Sequence, residues 1–128
     1  MSTLTLFTPS GVVAAAKPVR RAVRRLSGFG FEVALDEAAL ARHQRFGGDD
    51  DTRLAALHRV AKRSPSIAMA TRGGYGLTRL LDRIDWKAIA GSVEGGTRWI
   101  GHSDFTALQL GLLAHARGTT WAGRARWS

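Results

Sequence analysis

The 128-residue chain has no cysteine, which excludes a disulfide scaffold and any metal site built on thiolates. Lysine is scarce: three of the 19 basic residues are Lys17, Lys62 and Lys87, so arginine carries the positive charge. No run is long and apolar enough to cross a membrane. No secretory leader is expected, because the apolar stretch from Leu4 to Ala16 is broken by Pro9-Ser10-Gly11. A cytoplasmic location is therefore expected. The four histidines, His43, His58, His102 and His115, include no pair at i, i+3 or i, i+4, so a helical metal pair is excluded. No metal or cofactor is expected. There is no internal repeat and no low-complexity segment.

What is present suits one globular domain. A chain of this length can bury roughly two thirds of its unfolded surface, and 45% hydrophobic residues with 15 glycines fit an α/β protein with many tight connections. The net charge of +9 invites a nucleic-acid reading. The distribution opposes it. Arg20, Arg21, Arg24 and Arg25 lie opposite Val19, Ala22, Val23 and Leu26 at 100° per residue, which makes them the wet face of an amphipathic helix. The other arginines are scattered without interleaved aromatics, so no nucleic-acid partner is expected.

Strands and helices alternate along the chain. Leu4 to Thr8 reads as a strand ending at a Pro-Ser-Gly turn, and a helix runs from near Pro18 to about Ser27, with Gly28 placed to end it. Phe31 to Leu35 is a second strand. Asp49-Asp50-Asp51-Thr52 precedes a helix in which Leu54, Leu57, His58 and Ala61 share a face. Those carboxylates suit a helix N-terminus, and no glycine-turned calcium loop follows them. Ile67 to Thr71 is a third strand, followed by a helix with Leu77, Leu80, Leu81 and Ile84 at i, i+3, i+4 and i+7. Arg98 to Gly101 is a fourth strand, Thr106 to Ala116 a further helix, and Thr119 to Ala122 begins a fifth strand. This alternation predicts a mostly parallel, doubly wound sheet with helices on both faces. Ligands bind such sheets beyond the carboxyl ends of the strands. The turns at Pro9-Ser10-Gly11, Arg72 to Gly76 and His102 to Asp104 all follow strands and should gather on that edge.

Two of these turns carry candidate chemistry. In Gly101-His102-Ser103-Asp104-Phe105-Thr106, a serine stands between a strand end and a helix start. There its hydroxyl can be exposed as a nucleophile beside unpaired helix N–H groups that could hold an oxyanion. The same serine also suits an N-cap, with Asp104 in the first turn, and both readings stay open on the segment alone. The pattern shares the logic of a G-x-S-x-G elbow but lacks its second glycine. In Arg72-Gly73-Gly74-Tyr75-Gly76, three glycines in four positions let backbone N–H groups approach a ligand. The turn is neither a P-loop nor a dinucleotide turn. It serves equally as a tight strand-to-helix connection. No convincing base accompanies the serine. His102 is its neighbour in a tight turn, and His115 lies roughly 18 Å along the following helix.

With both turns in hand, the chain resembles the N-terminal half of the LD-carboxypeptidases, a serine peptidase family. The matching stretches are Phe7-Thr8-Pro9-Ser10-Gly11, Leu26 to Val33, and Gly47-Gly48-Asp49 with Arg53 and Leu57. Most specific are Arg72-Gly73-Gly74-Tyr75-Gly76 with Arg79-Leu80-Leu81, and Ile100-Gly101-His102-Ser103-Asp104 with Thr106-Ala107-Leu108. The fold this implies is flavodoxin-like, or class I glutamine amidotransferase-like. The resemblance further implies that Ser103 is the nucleophile. Gly73, Gly74, Tyr75 and Asp104 would then form the oxyanion and substrate-binding surface, with amides near Gly74 and at Asp104 as donors. In this family a glutamate and a histidine from a separate C-terminal domain serve the serine.

Family members release D-alanine from cytoplasmic murein tetrapeptides during peptidoglycan recycling, and relatives act on microcin-type peptidyl nucleotides. Dimers are common among them, so a homodimer is an expected partner state beside the murein peptide. The similarity covers residues 1–123; residues 124–128, Arg-Ala-Arg-Trp-Ser, form a basic tail that departs from the family. A truncated chain without the C-terminal domain, and nearly inactive alone, is the expectation. The alternative from another class is a non-catalytic module that binds a peptide or an anionic ligand on the same edge.

Overall fold

The computed structural model describes residues 2–11, 13, 15–43, 46–71, 76–101, 108 and 121–122. Strand β1 (Thr3–Phe7) leads to helix α1 (Ala16–Gly28), strand β2 (Glu32–Leu35), helix α2 (Asp50–Arg63) and strand β3 (Ile67–Ala70). A 3-10 helix (Leu77–Arg83), helix α3 (Trp86–Glu94), strand β4 (Arg98–Gly101) and a two-residue strand β5 (Trp121–Ala122) follow. The sheet has the order β2-β1-β3-β4-β5, and every pairing in it is parallel. The α/β parallel sheet expected from the strand–helix alternation is the one observed.

The strand order places the helices. From β1 the chain steps one way to β2, then reverses across β1 to reach β3 and continues to β4. Right-handed crossovers put α1 on one face and α2 and α3 on the other. Burial follows the period of two along the strands. Phe7, Ala68, Ala70 and Trp99 join Leu54, Leu57, Val60, Leu80, Ile89 and Leu108 in one core cluster. On the opposite face Leu4 and Leu6 are buried, as are Val19 and Ala22 of α1, which packs against β2. Beyond that helix, Ile67, Met69 and Ile100 on the same face are only half-buried.

At the centre of the main core, the ring of Trp99 meets Phe7 edge-on, with centroids 5.6 Å apart. Its indole N–H donates to Ser92 Oγ at 2.9 Å, and that hydroxyl donates to the Ile89 carbonyl. The largest core side chain thus locks α3 onto β4 with its one polar atom satisfied. Helix α1 behaves as its sequence dictates: Val19 and Ala22 are buried while Arg20, Arg21, Arg24 and Arg25 face water.

Two elements differ from expectation. The leucine-rich stretch after β3 is a 3-10 helix of seven residues rather than an α-helix. It gives way to a separate helix α3, entered at Asp85, whose carboxylate accepts the Ala88 amide at 3.2 Å. Leu77 and Leu80 are still buried, because an i, i+3 spacing also stacks side chains in a helix of three residues per turn, and Ile84 is buried from the extended residue that follows the helix.

Candidate active site

A doubly wound sheet has its natural binding crevice where the strand order reverses, outside the carboxyl ends of the strands. Here that point lies between β1 and β3. Register pairs Phe7 with Ala70 and Met69 with Ile100, so β1, β3 and β4 end on one rim. The Pro9-Ser10-Gly11 turn leaves the first strand, the glycine turn leaves the second, and the Ser103 segment leaves the third. Ser103, Asp104, Gly73, Gly74 and Tyr75 themselves lie outside the described residues, as do His102 and the helix expected over Thr106 to Ala116, apart from Leu108. Gly76, which closes the glycine turn, is described.

Polar groups just past the strand ends stitch the rim together. The Thr71 amide donates to the Phe7 carbonyl at 2.8 Å, extending the β1–β3 ladder by one bond. The Thr8 hydroxyl donates to the buried Ala39 carbonyl at 2.5 Å. Its only proton being used there, the 2.8 Å contact between the Thr8 and Thr71 hydroxyls has Thr71 as donor. Gly47 closes over this pair, its amide donating to the Ser10 carbonyl at 2.9 Å. A Cβ at Gly47 would lie 2.3 Å from the Thr8 methyl, so no other residue fits without displacement. The Ser10 hydroxyl is fully buried and, among the described residues, has no hydrogen-bond partner.

The entry to α2 supplies the charged part of the rim. Asp49 caps the helix, its carboxylate accepting the Thr52 amide at 2.7 Å. Hydrogen bonds from the Thr52 backbone and side chain hold its pKa below the ordinary 3.8. The acidic run is therefore a cap, as its position suggested, with a second role for its neighbours. Asp50 accepts from Arg79 at 3.1 Å and from Arg53, while Asp51 pairs with Arg83, whose guanidinium is held above its ordinary pKa by that hydrogen bond. These pairs tie the N-terminus of α2 to the 3-10 helix. His43, Phe46, Arg79 and Arg83 line a cleft of about 420 Å³ between them. Its positive charge is already matched by carboxylates.

Arg53 is the least expected residue here. Its side chain is 0% exposed, and it touches the loops of the rim rather than the apolar core alone. The sequence signal was available: positions 53, 56, 57 and 60 follow i, i+3, i+4 and i+7, so an arginine stands in the buried row of α2. Phe46, which stacks under this guanidinium with 4.8 Å from Cζ to the ring centroid, carried no such signal. His58, read as a core-edge residue, is half-buried and accepts the Asp85 amide at 3.0 Å. No group of His, Asp and Glu residues suited to a metal ion occurs among the described residues, and no described helix is long and apolar enough to cross a membrane.

Comparison with known proteins bears on the whole of this arrangement. Residues 4–123 match the family model of the LD-carboxypeptidase N-terminal domain. A Synechocystis protein that bears the name of a carboxypeptidase is 30% identical over 115 residues, which cover 86% of this chain and 36% of the relative. The crystal structure of muramoyltetrapeptide carboxypeptidase from Oxalobacter formigenes superposes with a TM-score of 0.82 at 31% identity, covering 96% of this chain and 40% of that one. The microcin C7 self-immunity protein in complex with aspartyl sulfamoyl adenosine gives 0.84 at 25% identity, covering 93% and 36%. The chain thus spans well under half the length of these relatives.

Proposed function

This chain belongs to the LD-carboxypeptidase family, and on that premise we propose that it is the nucleophile-bearing domain of a serine-type peptidase that releases terminal D-alanine from murein tetrapeptide. The observation that carries the reading is the family match together with the shared rim: Ser103 follows β4 by two residues, and the glycine turn follows β3 beside it. In this reading the Ser103 Oγ attacks the scissile carbonyl carbon, and amides near Gly74 and at Asp104 hold the developing oxyanion. The C–N bond breaks, D-alanine leaves with a proton, and water hydrolyses the acyl-enzyme. The reaction runs in the cytoplasm and needs neither metal nor cofactor.

The proton that Ser103 loses needs a base, and no histidine of the chain is well placed by sequence to take it. General-base help contributes typically 10²–10⁴-fold. The 128-residue chain alone should therefore turn over slowly while still binding peptide. Incubation with murein tetrapeptide, followed by chromatographic assay of free D-alanine, tests this. Slow release abolished by Ser103→Ala is the expected result. Binding of tetrapeptide with no release from either form favours a non-catalytic peptide-binding module.

A second substrate class is favoured by the structural likeness to the microcin self-immunity protein. Calorimetric titration of the chain with an aminoacyl sulfamoyl adenosine, and separately with the tetrapeptide, compares the two classes. Tighter binding of the nucleotide would move the assignment from murein peptides to peptidyl nucleotides.

A further inference from the structure

Burying a guanidinium is costly unless every donor finds an acceptor, and an apolar residue of similar size would fill the same space at least as well. Arg53 is nevertheless fully buried, and its bonds have a common destination. Nε donates to the Gly48 carbonyl at 3.2 Å, one terminal nitrogen to the Pro9 carbonyl at 3.1 Å, and the other to Asp50 Oδ1. The first acceptor lies in the loop entering α2, the second in the turn leaving β1, and the third on α2 itself. The Phe46 ring lies beneath the guanidinium, 4.8 Å from Cζ to the ring centroid, and the same ring has Arg79 of the 3-10 helix 5.7 Å from its centroid.

Gly76 completes the arrangement. It ends the glycine turn in a left-handed conformation, with φ of 113°. A Cβ built there would lie 2.8 Å from an Arg53 terminal nitrogen and 2.8 Å from the Phe46 ring. The backbone of Gly76 is thus seated directly on the guanidinium and the ring. One buried cation touches the end of the glycine turn, the β1 turn and the α2 entry together.

We propose that Arg53 is the positioning residue of this rim: it fixes the seat of Gly76 against the Pro9 carbonyl and so sets where the glycine turn stands relative to the β1 turn. Its link to catalysis rests on the peptidase reading above; its link to the rim geometry does not. Lysine keeps the charge, but its three N–H donors share one nitrogen and cannot span acceptors spread around the three nitrogens of a planar guanidinium.

The test is a pair of measurements on the full 128-residue chain and its Arg53→Lys variant. In chain labelled with ¹⁵N-glycine, the Gly76, Gly48 and Gly11 amides of the variant should move, and Gly76 should exchange with solvent at least tenfold faster. Gly28 and Gly91, remote from the rim, should stay in place. Reaction of Ser103 with a fluorophosphonate, in which the Oγ–P bond forms as fluoride leaves, should slow at least fivefold when followed by intact mass. Unmoved rim amides overturn the proposal whatever the labelling shows. Moved rim amides with no labelling of either form uphold the positioning role and show only that Ser103 is not activated without a base from outside this chain. Should Arg53→Lys fail to fold, Phe46→Leu removes the seat without removing the charge. The same Gly76 displacement is then expected, and its absence overturns the proposal.

Discussion

The Asp49 carboxylate and the Thr52 amide it accepts show how much one side chain does at this edge. The Asp49→Ala variant leaves a first-turn amide of α2 without a partner and should lower the midpoint of denaturant unfolding. Because the folded pKa of Asp49 is lowered from 3.8 by the Thr52 hydrogen bonds, its contribution is complete above that value. It is lost as pH falls through the folded pKa. The wild-type minus Asp49→Ala stability difference should therefore be flat from neutrality to about pH 5 and shrink only in strong acid. A difference that shrinks near pH 6 would assign the effect to another group. In the core, Trp99→Phe removes the donor to Ser92 and part of the ring volume against Phe7. A loss of about 2 kcal/mol is expected from the combined cavity and hydrogen-bond effects, read as a lower denaturant midpoint.

At the scale of elements, the turns matter more than the helices they join. The Gly76→Ala variant must place a side chain at φ 113° and within 2.8 Å of both Arg53 and Phe46. It should lose at least about 2 kcal/mol and loosen the 3-10 helix that follows, which circular dichroism and thermal melting would register. A melting temperature equal to wild type would show that the turn relaxes freely. The strands and helices β1, α1, β2, α2, β3 and β4 were legible in the sequence because each carries its own period and its own stop signal, such as Asp49 at the start of α2. Helix α3 was not. It is only nine residues long with Gly91 inside it, and Lys87 and Glu94 are the only charged residues to mark its exposed face, too short a period to stand out in the sequence. The leucine pattern before it suited an α-helix and a 3-10 helix alike. As for the rim, the alternation of strands and helices was enough to bring the turns together. The Arg53–Phe46–Gly76 seat depends on Gly76 meeting residues 23 and 30 positions before it, which no local pattern encodes.

For the whole molecule, the basic excess and the family assignment make separate predictions. Nineteen basic residues against ten acidic give +9, but four of the arginines lie along the outer face of α1, and others are engaged with Asp36, Asp50 and Asp51. Retention on immobilised DNA should be weak and vanish by roughly 0.15 M salt. Retention well beyond that, falling steeply with salt, would call for a nucleic-acid role. The Ser103→Ala variant should keep the melting temperature of the parent and bind tetrapeptide with similar affinity, while releasing no D-alanine; calorimetry and product analysis separate the two effects.

The interior position of β1, between β2 and β3, also governs how the polypeptide is born. Residues 3–7 pair with β2 on one side and with β3, some 60 residues later, on the other. During synthesis the β1-α1-β2 unit can close early, but the second flank of β1 stays open until Ile67–Ala70 has left the ribosome. Thr5 and Phe7 are without their cover for that interval, next to an unpaired row of amides and carbonyls. Yield in cells should accordingly depend on how fast the ribosome traverses codons 36 to 70, and slow codons placed there should favour aggregation of a chain whose finished fold is unchanged.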